Sequence, residues 1–336
     1  MTKSCFVSIA SYRDTELSDT IDSVVNNSTI NLHISVVEQC QEHERINPSQ
    51  WESDRVKITV QWMHPIQARG AGYARHLAMQ KYTNEDYYLQ IDSHTDMIQN
   101  WDEKMIAALN LACETEKSSK VILSQFPAAY KLVHRKREYV SGSKKYDPSP
   151  LCTRAFVYRR GQLAGKRVPL EGNTPQLSTI VLAGYIFAPG EFASLGYPHN
   201  IPFWGEEFMV SINAWMNGWR IYSPHEMYVW HYYGRDNEYK VWNDLSNWKD
   251  IEEESLLFME EYFKRLKRSD KWELLHDNHR DTIIAWLNFR RGTRGSEELI
   301  SKEQDIDIEY IMKKKSLEEH IANNIKLQQS ASNVNE

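Results

Sequence analysis

The chain has 336 residues, of which 41% are hydrophobic and 12% aromatic, so it can bury a large core as one big domain with an appendage or as two domains. Its formal net charge of −6, from 40 basic and 46 acidic residues, argues against a protein that coats nucleic acid with its whole surface. No Cys-x-x-Cys pair and no apolar run of about 18 residues occurs, so we expect a cytoplasmic protein without a zinc knot, a disulfide framework or a transmembrane segment.

The first third of the chain alternates between strands and helices. Residues 6–10, 32–37 and 56–60 are short apolar runs with β-branched residues, which predict three strands. After the first run, a helix is predicted from apolar residues at helical spacing, namely Leu17, Ile21, Val24 and Val25. This alternation indicates an α/β, doubly wound sheet.

A glycine-containing turn follows the third predicted strand. Gly70 and Gly72 precede Ala74, Leu77 and Ala78, whose spacing predicts a helix, so the glycines lie where a loop enters that helix. Glycine there allows close backbone approach, and the amino end of a helix favours phosphate. A lone Gly-x-Gly is weak evidence, because the full dinucleotide fingerprint would require Gly-x-Gly-x-x-Gly just after the first strand.

The most informative feature is the end of the fourth predicted strand. The apolar run 87–91 leads into Asp92, Ser93 and His94. A carboxylate and an imidazole at the carboxyl edge of a sheet lie where open α/β sheets bind ligands, which predicts a metal and diphosphate site. From these residues alone, an alternative stays open in which Asp92 caps the next turn and His94 is a surface histidine. We expect Asp96 to support a ligand or to cap a turn.

The middle of the chain is basic. A helix is predicted at 101–111 and a strand at 121–124, and residues 131–167 then contain eleven Lys or Arg against two acids. Such a stretch is usually a solvated loop face, but it could receive an anionic acceptor. A long apolar strand is predicted at 180–188, where Gly184 marks a bulge or a close approach by a backbone or a ligand.

Two acidic residues and a late histidine follow. Glu206 and Glu207 come after Trp204 at the start of a predicted helix, where acids are commonly dipole and capping residues. His231 ends a predicted strand within His-Tyr-Tyr-Gly-Arg, and by itself it is expected to be structural. If His231 lies beside Asp92 in the fold, it becomes a candidate metal ligand.

The last third of the chain reads as helical and charged. Residues 251–266 and 272–289 have the apolar spacing of amphipathic helices, which we expect to pack on the preceding domain or to mediate self-association. The expected division is an α/β domain at 1–242, a helical region at 243–327 and a disordered tail at 328–336.

In combination these motifs resemble the GT-A glycosyltransferases. Along residues 5–242 the order is Ser-Tyr-Arg-Asp after the first strand, a Gly-rich turn with Ala-Arg, Gln-Ile-Asp-Ser-His ahead of Asn-Trp-Asp, an Ala-Gly strand, Trp-Gly-Glu-Glu and His-Tyr-Tyr-Gly-Arg. This order is most similar to the Skp1-type hydroxyproline N-acetylglucosaminyltransferases and more distantly to the polypeptide N-acetylgalactosaminyltransferases. The resemblance implies a Rossmann-like GT-A fold, with a mostly parallel central sheet flanked by helices and a C-terminal helical extension. It also implies that residues 1–242 are a catalytic domain, in which residues 1–125 bind the nucleotide and residues 126–242 form the acceptor side.

The resemblance also implies roles for individual residues. Asp92, His94 and His231 stand at the family's metal ligands, and Mn²⁺ is expected before Mg²⁺ because it tolerates a mixed nitrogen and oxygen set. The residues expected to contact the nucleotide sugar are Ser11, Tyr12, Arg13, Gly70, Gly72, Arg75, Asp92, Ser93, Gly184 and Trp204. The expected catalytic residues are Glu207, Glu206 and Arg235. For Arg13 a salt bridge to Asp14 or Glu16 stays an alternative, and ordinary packing stays one for Tyr12.

The implied reaction is retaining transfer of N-acetylglucosamine from UDP-N-acetylglucosamine, the donor substrate, to a hydroxyl of an acceptor protein or another hydroxyl-bearing polymer. An anionic acceptor, such as modified nucleic acid or polysaccharide, stays an alternative because of the basic stretch. Two other classes also stay open: a nucleotide-sugar-binding protein without catalysis, and a metal-dependent nucleotidyltransferase. The second is disfavoured because such enzymes normally present paired carboxylates for two metals.

Overall fold

A sheet of eight strands forms the centre of the protein. The computed structural model describes residues 3–134, 136–140, 151–157, 162–169, 172–235 and 238–294. Some of the basic stretch 131–167 and everything beyond Arg294, including the expected tail 328–336, lie outside the described residues. In chain order the elements are β1 (Ser4–Tyr12), α1 (Leu17–Asn26), β2 (Asn31–Gln39), β3 (Val56–Met63), α2 (Ala71–Met79), β4 (Tyr87–Asp92), β5 (Thr95–Met97), α3 (Trp101–Glu116), β6 (Val121–Leu123), β7 (Ala128–Val133), β8 (Lys136–Tyr139), β9 (Leu151–Val157), β10 (Leu163–Pro169), β11 (Gln176–Ser178), β12 (Tyr185–Pro189), α4 (Glu206–Met216), β13 (Arg220–Ser223), β14 (Val229–Tyr232), α5 (Val241–Asp244), α6 (Trp248–Leu266) and α7 (Asp277–Arg294).

The strand order in the central sheet is β11-β13-β6-β12-β4-β1-β2-β3. The pairs β4-β1, β1-β2, β2-β3 and β6-β13 are parallel, whereas β12 runs antiparallel to both β4 and β6. The apolar strand β1 is almost fully buried because it lies in the interior of the sheet. A four-stranded sheet, β5-β14-β7-β8, begins where β4 ends. The carboxyl ends of β1 and β4 therefore meet at one edge of the central sheet, beside the smaller sheet.

The predicted strand at 180–188 is wrong in its extent, because β12 begins only at Tyr185. Side chains, not a neighbouring strand, satisfy the backbone before it: Ser211 Oγ accepts from the Val181 N–H at 2.9 Å, and Ser124 Oγ accepts from the Leu182 N–H at 2.8 Å. The Tyr185 N–H then donates to the Leu182 carbonyl at 3.0 Å, which closes a turn around Gly184. These local hydrogen bonds replace the ladder that a longer strand would make.

The C-terminal helices pack on α4 through aromatic rings. Phe208 of α4 meets Phe263 of α6 and His279 of α7 edge-on, with ring centroids 5.9 and 5.8 Å apart. Phe263 in turn contacts Trp286 at 5.3 Å, and both rings are fully buried. The sheet and these helices thus belong to one compact unit that extends to Arg294. None of the described helices has both the length and the apolar character that a membrane span requires.

Candidate functional site

Three side chains from distant segments of the chain meet at the edge of the central sheet. Asp92 ends β4, His94 follows it, and His231 lies in β14; each offers a ligand atom within 4.8 Å of the other two. Strand pairing explains this, because β14 runs antiparallel to β5 with His231 opposite Thr95. His231 Nε2 lies 3.1 Å from Asp92 Oδ2, and the two imidazole rings are 4.4 Å apart. The structure thus brings together the three residues predicted to bind a metal.

The protonation states in this group suit a divalent cation. Burial and the neighbouring His94 ring lower the pKa of His231 to about 4, so this imidazole is neutral near pH 7 and keeps a lone pair for a metal. Burial by itself would raise the pKa of Asp92. The charge of Arg75 and the hydrogen bond with His231 nevertheless hold it well below its usual range. An ionised carboxylate beside two imidazoles is a donor set that Mn²⁺ accepts.

Asp14 belongs to the site although no role there was predicted for it. Its Oδ2 accepts from Ser93 Oγ at 2.6 Å, lies 2.7 Å from His94 Nδ1 and also meets Arg235 NH2 at 3.2 Å. A carboxylate on Nδ1 fixes the tautomer that leaves Nε2 of His94 for a metal. The position of Asp14 shortly after β1 could have predicted this role, because a polar residue there reaches the same edge of the sheet as Asp92.

Two predicted site residues form a buried ion network with Asp92. The Arg75 guanidinium binds Asp92 Oδ1 through NH2 at 2.5 Å and Glu206 Oε1 through NH1. Arg75 and Glu206 are 5% and 3% exposed, so each depends on the other for charge compensation. Arg75 therefore orients the Asp92 carboxylate, and Glu206 orients Arg75.

Glu207, in the first turn of α4, bonds the turn that precedes β12. Its Oε1 accepts from the Ala183 N–H at 2.8 Å. Burial raises the pKa of Glu207 to about 7, and the charge of Glu206 adds to this effect. Gly184 packs directly against Asp92, since a Cβ at this position would lie 2.8 Å from Asp92 Oδ2. The group that approaches Gly184 closely is thus a side chain, the Asp92 carboxylate, whereas the sequence predicted a backbone or a ligand.

A cleft of about 300 Å³ opens beside the three candidate metal ligands. The predicted site residues that line it are Ser11, Tyr12, Gly70, Arg75, Asp92, Ser93, His94, His231 and Arg235. Those that lie outside its lining are Arg13, Gly72, Gly184, Trp204, Glu206 and Glu207. Gly70 has φ +92°, and a Cβ there would lie 2.2 Å from the Pro202 carbonyl oxygen, so this turn requires glycine.

The remaining predicted residues have other partners. Arg13 forms ion pairs with Glu44 and Asp244, not with Asp14 or Glu16. Trp204 is 42% exposed and packs edge-on against Phe203 at 5.1 Å. Asp96 meets Ser23, Arg137 and Tyr139, so it ties α1 to β8 and makes no bond to His94.

Comparisons with known proteins agree with this architecture. A family model described as Glycosyltransferase (GlcNAc) matches residues 4–57 and 47–301. No curated protein sequence matches the chain. The crystal structure of GalNAc-T7 with UDP, GalNAc and Mn²⁺ aligns with 69% of this chain at 19% identity and TM-score 0.51, and the chain covers 44% of that protein's length. That of S. aureus TarS 1–349 in complex with UDP-GlcNAc aligns with 87% of this chain and 73% of its own, at 13% identity and TM-score 0.52. At such identities the likeness shows the fold, and the predicted GT-A fold is confirmed.

Proposed function

This chain belongs to the Glycosyltransferase (GlcNAc) family, and from that premise we propose that it is a metal-dependent enzyme that transfers a sugar from a nucleotide sugar to a hydroxyl group. The convergence of Asp92, His94 and His231 beside a cleft of about 300 Å³ carries the proposal. These residues would hold Mn²⁺, or Mg²⁺ in its place. When bound, such an ion supplies positive charge to the diphosphate leaving group.

The chain's own residues provide the rest of the site. Arg235 lines the cleft, and its Nε has no hydrogen-bond partner among the described residues, so it can donate to a diphosphate oxygen. Positive charge at that point stabilises the negative charge that develops when the bond to the sugar breaks. Ser11 and Tyr12, at the end of β1, line the region of the cleft that we assign to the nucleotide, together with Gly70 and Ser93. We also propose that Tyr12 is the ring that stacks on the nucleotide base.

The two acids of α4 take different roles in this proposal. Glu206 holds Arg75, and through it Asp92, in place. Glu207, whose pKa is raised to about 7 by burial, can exist in either protonation state near neutral pH and is the candidate for holding a donor or acceptor hydroxyl or for taking the acceptor proton. Gly72, Gly184 and Trp204 shape the surroundings of these groups.

For the donor we propose UDP-N-acetylglucosamine, with retention of configuration. The family description, the resemblance in motif order to the Skp1-type enzymes and the UDP-GlcNAc in the TarS structure support this choice. The GalNAc-T7 structure holds UDP, GalNAc and Mn²⁺, so it supports a UDP-sugar and Mn²⁺ in general. For the acceptor we propose a hydroxyl of a cytoplasmic protein. We also propose that residues 1–242 are the catalytic domain and that residues 243–327 provide any self-association.

Release of UDP from UDP-sugars tests the proposal. The purified protein is incubated with a panel of UDP-sugars, with and without Mn²⁺, and we expect metal-dependent UDP release that is fastest with UDP-N-acetylglucosamine, because water accepts the sugar slowly. The His231→Ala variant should lose the Mn²⁺-dependent release of UDP. Release that is the same in EDTA, or no release from any UDP-sugar, would contradict the proposed function.

A further inference from the structure

We propose that Arg13 does not contact the donor's diphosphate but is a positioning residue. Arg13, which is itself held by Glu44, binds Asp244 together with Tyr12. It thereby fixes residues 238–244, here called the wall segment, of which residues 239–242 line the cleft. The inference rests on the proposed function, because it assigns that cleft to the nucleotide sugar. It differs from the role expected from the sequence, in which Arg13 meets the nucleotide.

Each nitrogen of the Arg13 guanidinium already bonds a carboxylate through one N–H group. Its Nε lies 3.2 and 3.1 Å from the two carboxylate oxygens of Glu44, its NH2 lies 2.9 Å from Glu44 Oε1, and its NH1 lies 3.2 Å from Asp244 Oδ2. The ring of Tyr239 covers the face of the group, with its centroid 3.4 Å from Cζ. Each nitrogen thus has a carboxylate partner, and two negative charges surround one positive charge. A diphosphate would have to compete with these two carboxylates for the charge of Arg13, which lies outside the cleft lining.

Asp244 joins the wall segment to the end of β1. Its Oδ2 accepts both from Arg13 and from the Tyr12 hydroxyl, the latter at 2.7 Å. The wall segment contributes a continuous run to the cleft lining, namely Tyr239, Lys240, Val241 and Trp242. The position of Asp244 therefore determines where these side chains stand relative to Tyr12.

The backbone of Arg13 supports the same interpretation. Its φ is +45°, in the left-handed region that a residue with a side chain rarely adopts. Such a conformation persists where the surroundings over-determine it, often at a functional site. Here the Arg13 N–H donates to the Gln39 carbonyl at 3.0 Å, and Glu44 is itself held by the Gln41 N–H at 2.9 Å. The contacts of Arg13 with Gln39 and Glu44 thus hold this residue in the orientation in which it binds Asp244.

The two roles of Arg13 predict opposite effects of Asp244→Asn. If Arg13 contacts phosphate, removing a competing carboxylate frees the guanidinium, and UDP binds more tightly. If Arg13 holds the wall segment, the same substitution loosens it, and UDP binds less tightly. Uridine gives a second criterion. It has no phosphates, so its affinity depends on the wall segment and not on a contact between Arg13 and phosphate.

The experiment measures the affinity for UDP by calorimetry with Mn²⁺ and for uridine by ligand-detected NMR. We expect Asp244→Asn and Arg13→Gln each to lower the affinity for both ligands on the order of tenfold, because each variant loses the charge-assisted hydrogen bond between Arg13 and Asp244. The affinity of the double variant should be no lower than that of either single variant. Glu253→Gln is the control, since it alters an ion pair of α6 with Arg290 away from the cleft and should leave both affinities unchanged.

Tighter or unchanged UDP binding by Asp244→Asn, or a loss for UDP but not for uridine in Arg13→Gln, would overturn the proposal. Tyr12→Phe removes only one hydroxyl and should shift both affinities in the same direction by a few-fold, so it keeps the test open if a charge variant fails to fold. If the wild-type protein binds no UDP, the proposed function fails instead. Limited proteolysis then decides the inference: faster cleavage within residues 238–244 in Asp244→Asn supports it, and equal cleavage contradicts it.

Discussion

At the scale of single residues, Asp14 controls the candidate metal site without being one of its three ligands. Its carboxylate is 3% exposed and meets Ser93, His94 and Arg235 at once. Burial would raise the pKa of Asp14, but the hydrogen bond and charge of His94 and the charge of Arg235 hold it well below its usual range. Asp14 is therefore ionised at neutral pH and can orient the imidazole of His94.

Asp14→Asn should weaken Mn²⁺ binding by about 10- to 100-fold, because the amide cannot replace the charge that orients His94. Isothermal calorimetry of Mn²⁺ binding measures the change. The matched control is Asp96→Asn, a buried acid near the start of β5 that binds Ser23 and Arg137 but none of the three ligands. The control should lose stability and keep its Mn²⁺ affinity. Equal affinities in the two variants would remove Asp14 from the site.

At the scale of elements, the turn before β12 determines how closely the backbone approaches Asp92. Ala183 donates to Glu207, and Gly184 leaves the space that Asp92 Oδ2 occupies. Arg75 and His231 hold the two oxygens of that carboxylate, so it has little freedom to move aside. The turn and the start of α4 therefore support the candidate metal site from behind.

Gly184→Ala should lower the affinity for Mn²⁺ on the order of tenfold, because its methyl group would lie 2.8 Å from Asp92 Oδ2 and displace this carboxylate. Mn²⁺ titration followed by electron paramagnetic resonance measures the free ion. Gly165→Ala is the comparison, since the three atoms nearest to its added methyl group are all apolar side-chain atoms, and the nearest, Leu182 Cδ2, lies 3.3 Å away. If both variants bind Mn²⁺ like the wild type, close packing at Gly184 has no role in metal binding.

At the scale of the whole molecule, the candidate metal ligands are far apart in the chain. His231 and Asp92 are separated by 139 positions, and they meet only because β14 joins the smaller sheet beside the end of β4. An unfolded chain cannot present these side chains together, so a metal bound here binds the native state alone. Metal binding and folding are then thermodynamically linked.

Mn²⁺ at about 100 times its dissociation constant should therefore stabilise the native protein by roughly 2.7 kcal/mol and raise the Tm by several degrees. Differential scanning calorimetry with and without Mn²⁺ measures the shift, and an excess of EDTA should reverse it. The His94→Ala variant is the control and should show no shift. A shift of the same size in this variant would place the ion elsewhere on the protein.

Sequence patterns alone predicted the α/β fold class and a candidate metal site at Asp92 and His94, and the resemblance in motif order added His231. The apolar runs that form β1 to β4 are local patterns, as are Asp92 and His94 at the end of the fourth strand. Local patterns indicate the type of secondary structure and which of its residues are buried. His231 was also predicted from its sequence neighbours, because it belongs to the motif His-Tyr-Tyr-Gly-Arg on which the resemblance partly rests. What the sequence left open is pairing between distant segments.

Only the tertiary structure decided those pairings. It joins Asp14 to His94, Arg75 to both Asp92 and Glu206, and Arg13 to Asp244. The segment 180–184 also depended on it, because side chains of Ser124, Glu207 and Ser211 bond a backbone that reads as strand. The physical reason is that a charged or polar side chain has many potential partners along the chain, and the packing of the sheets brings only one set within hydrogen-bonding distance.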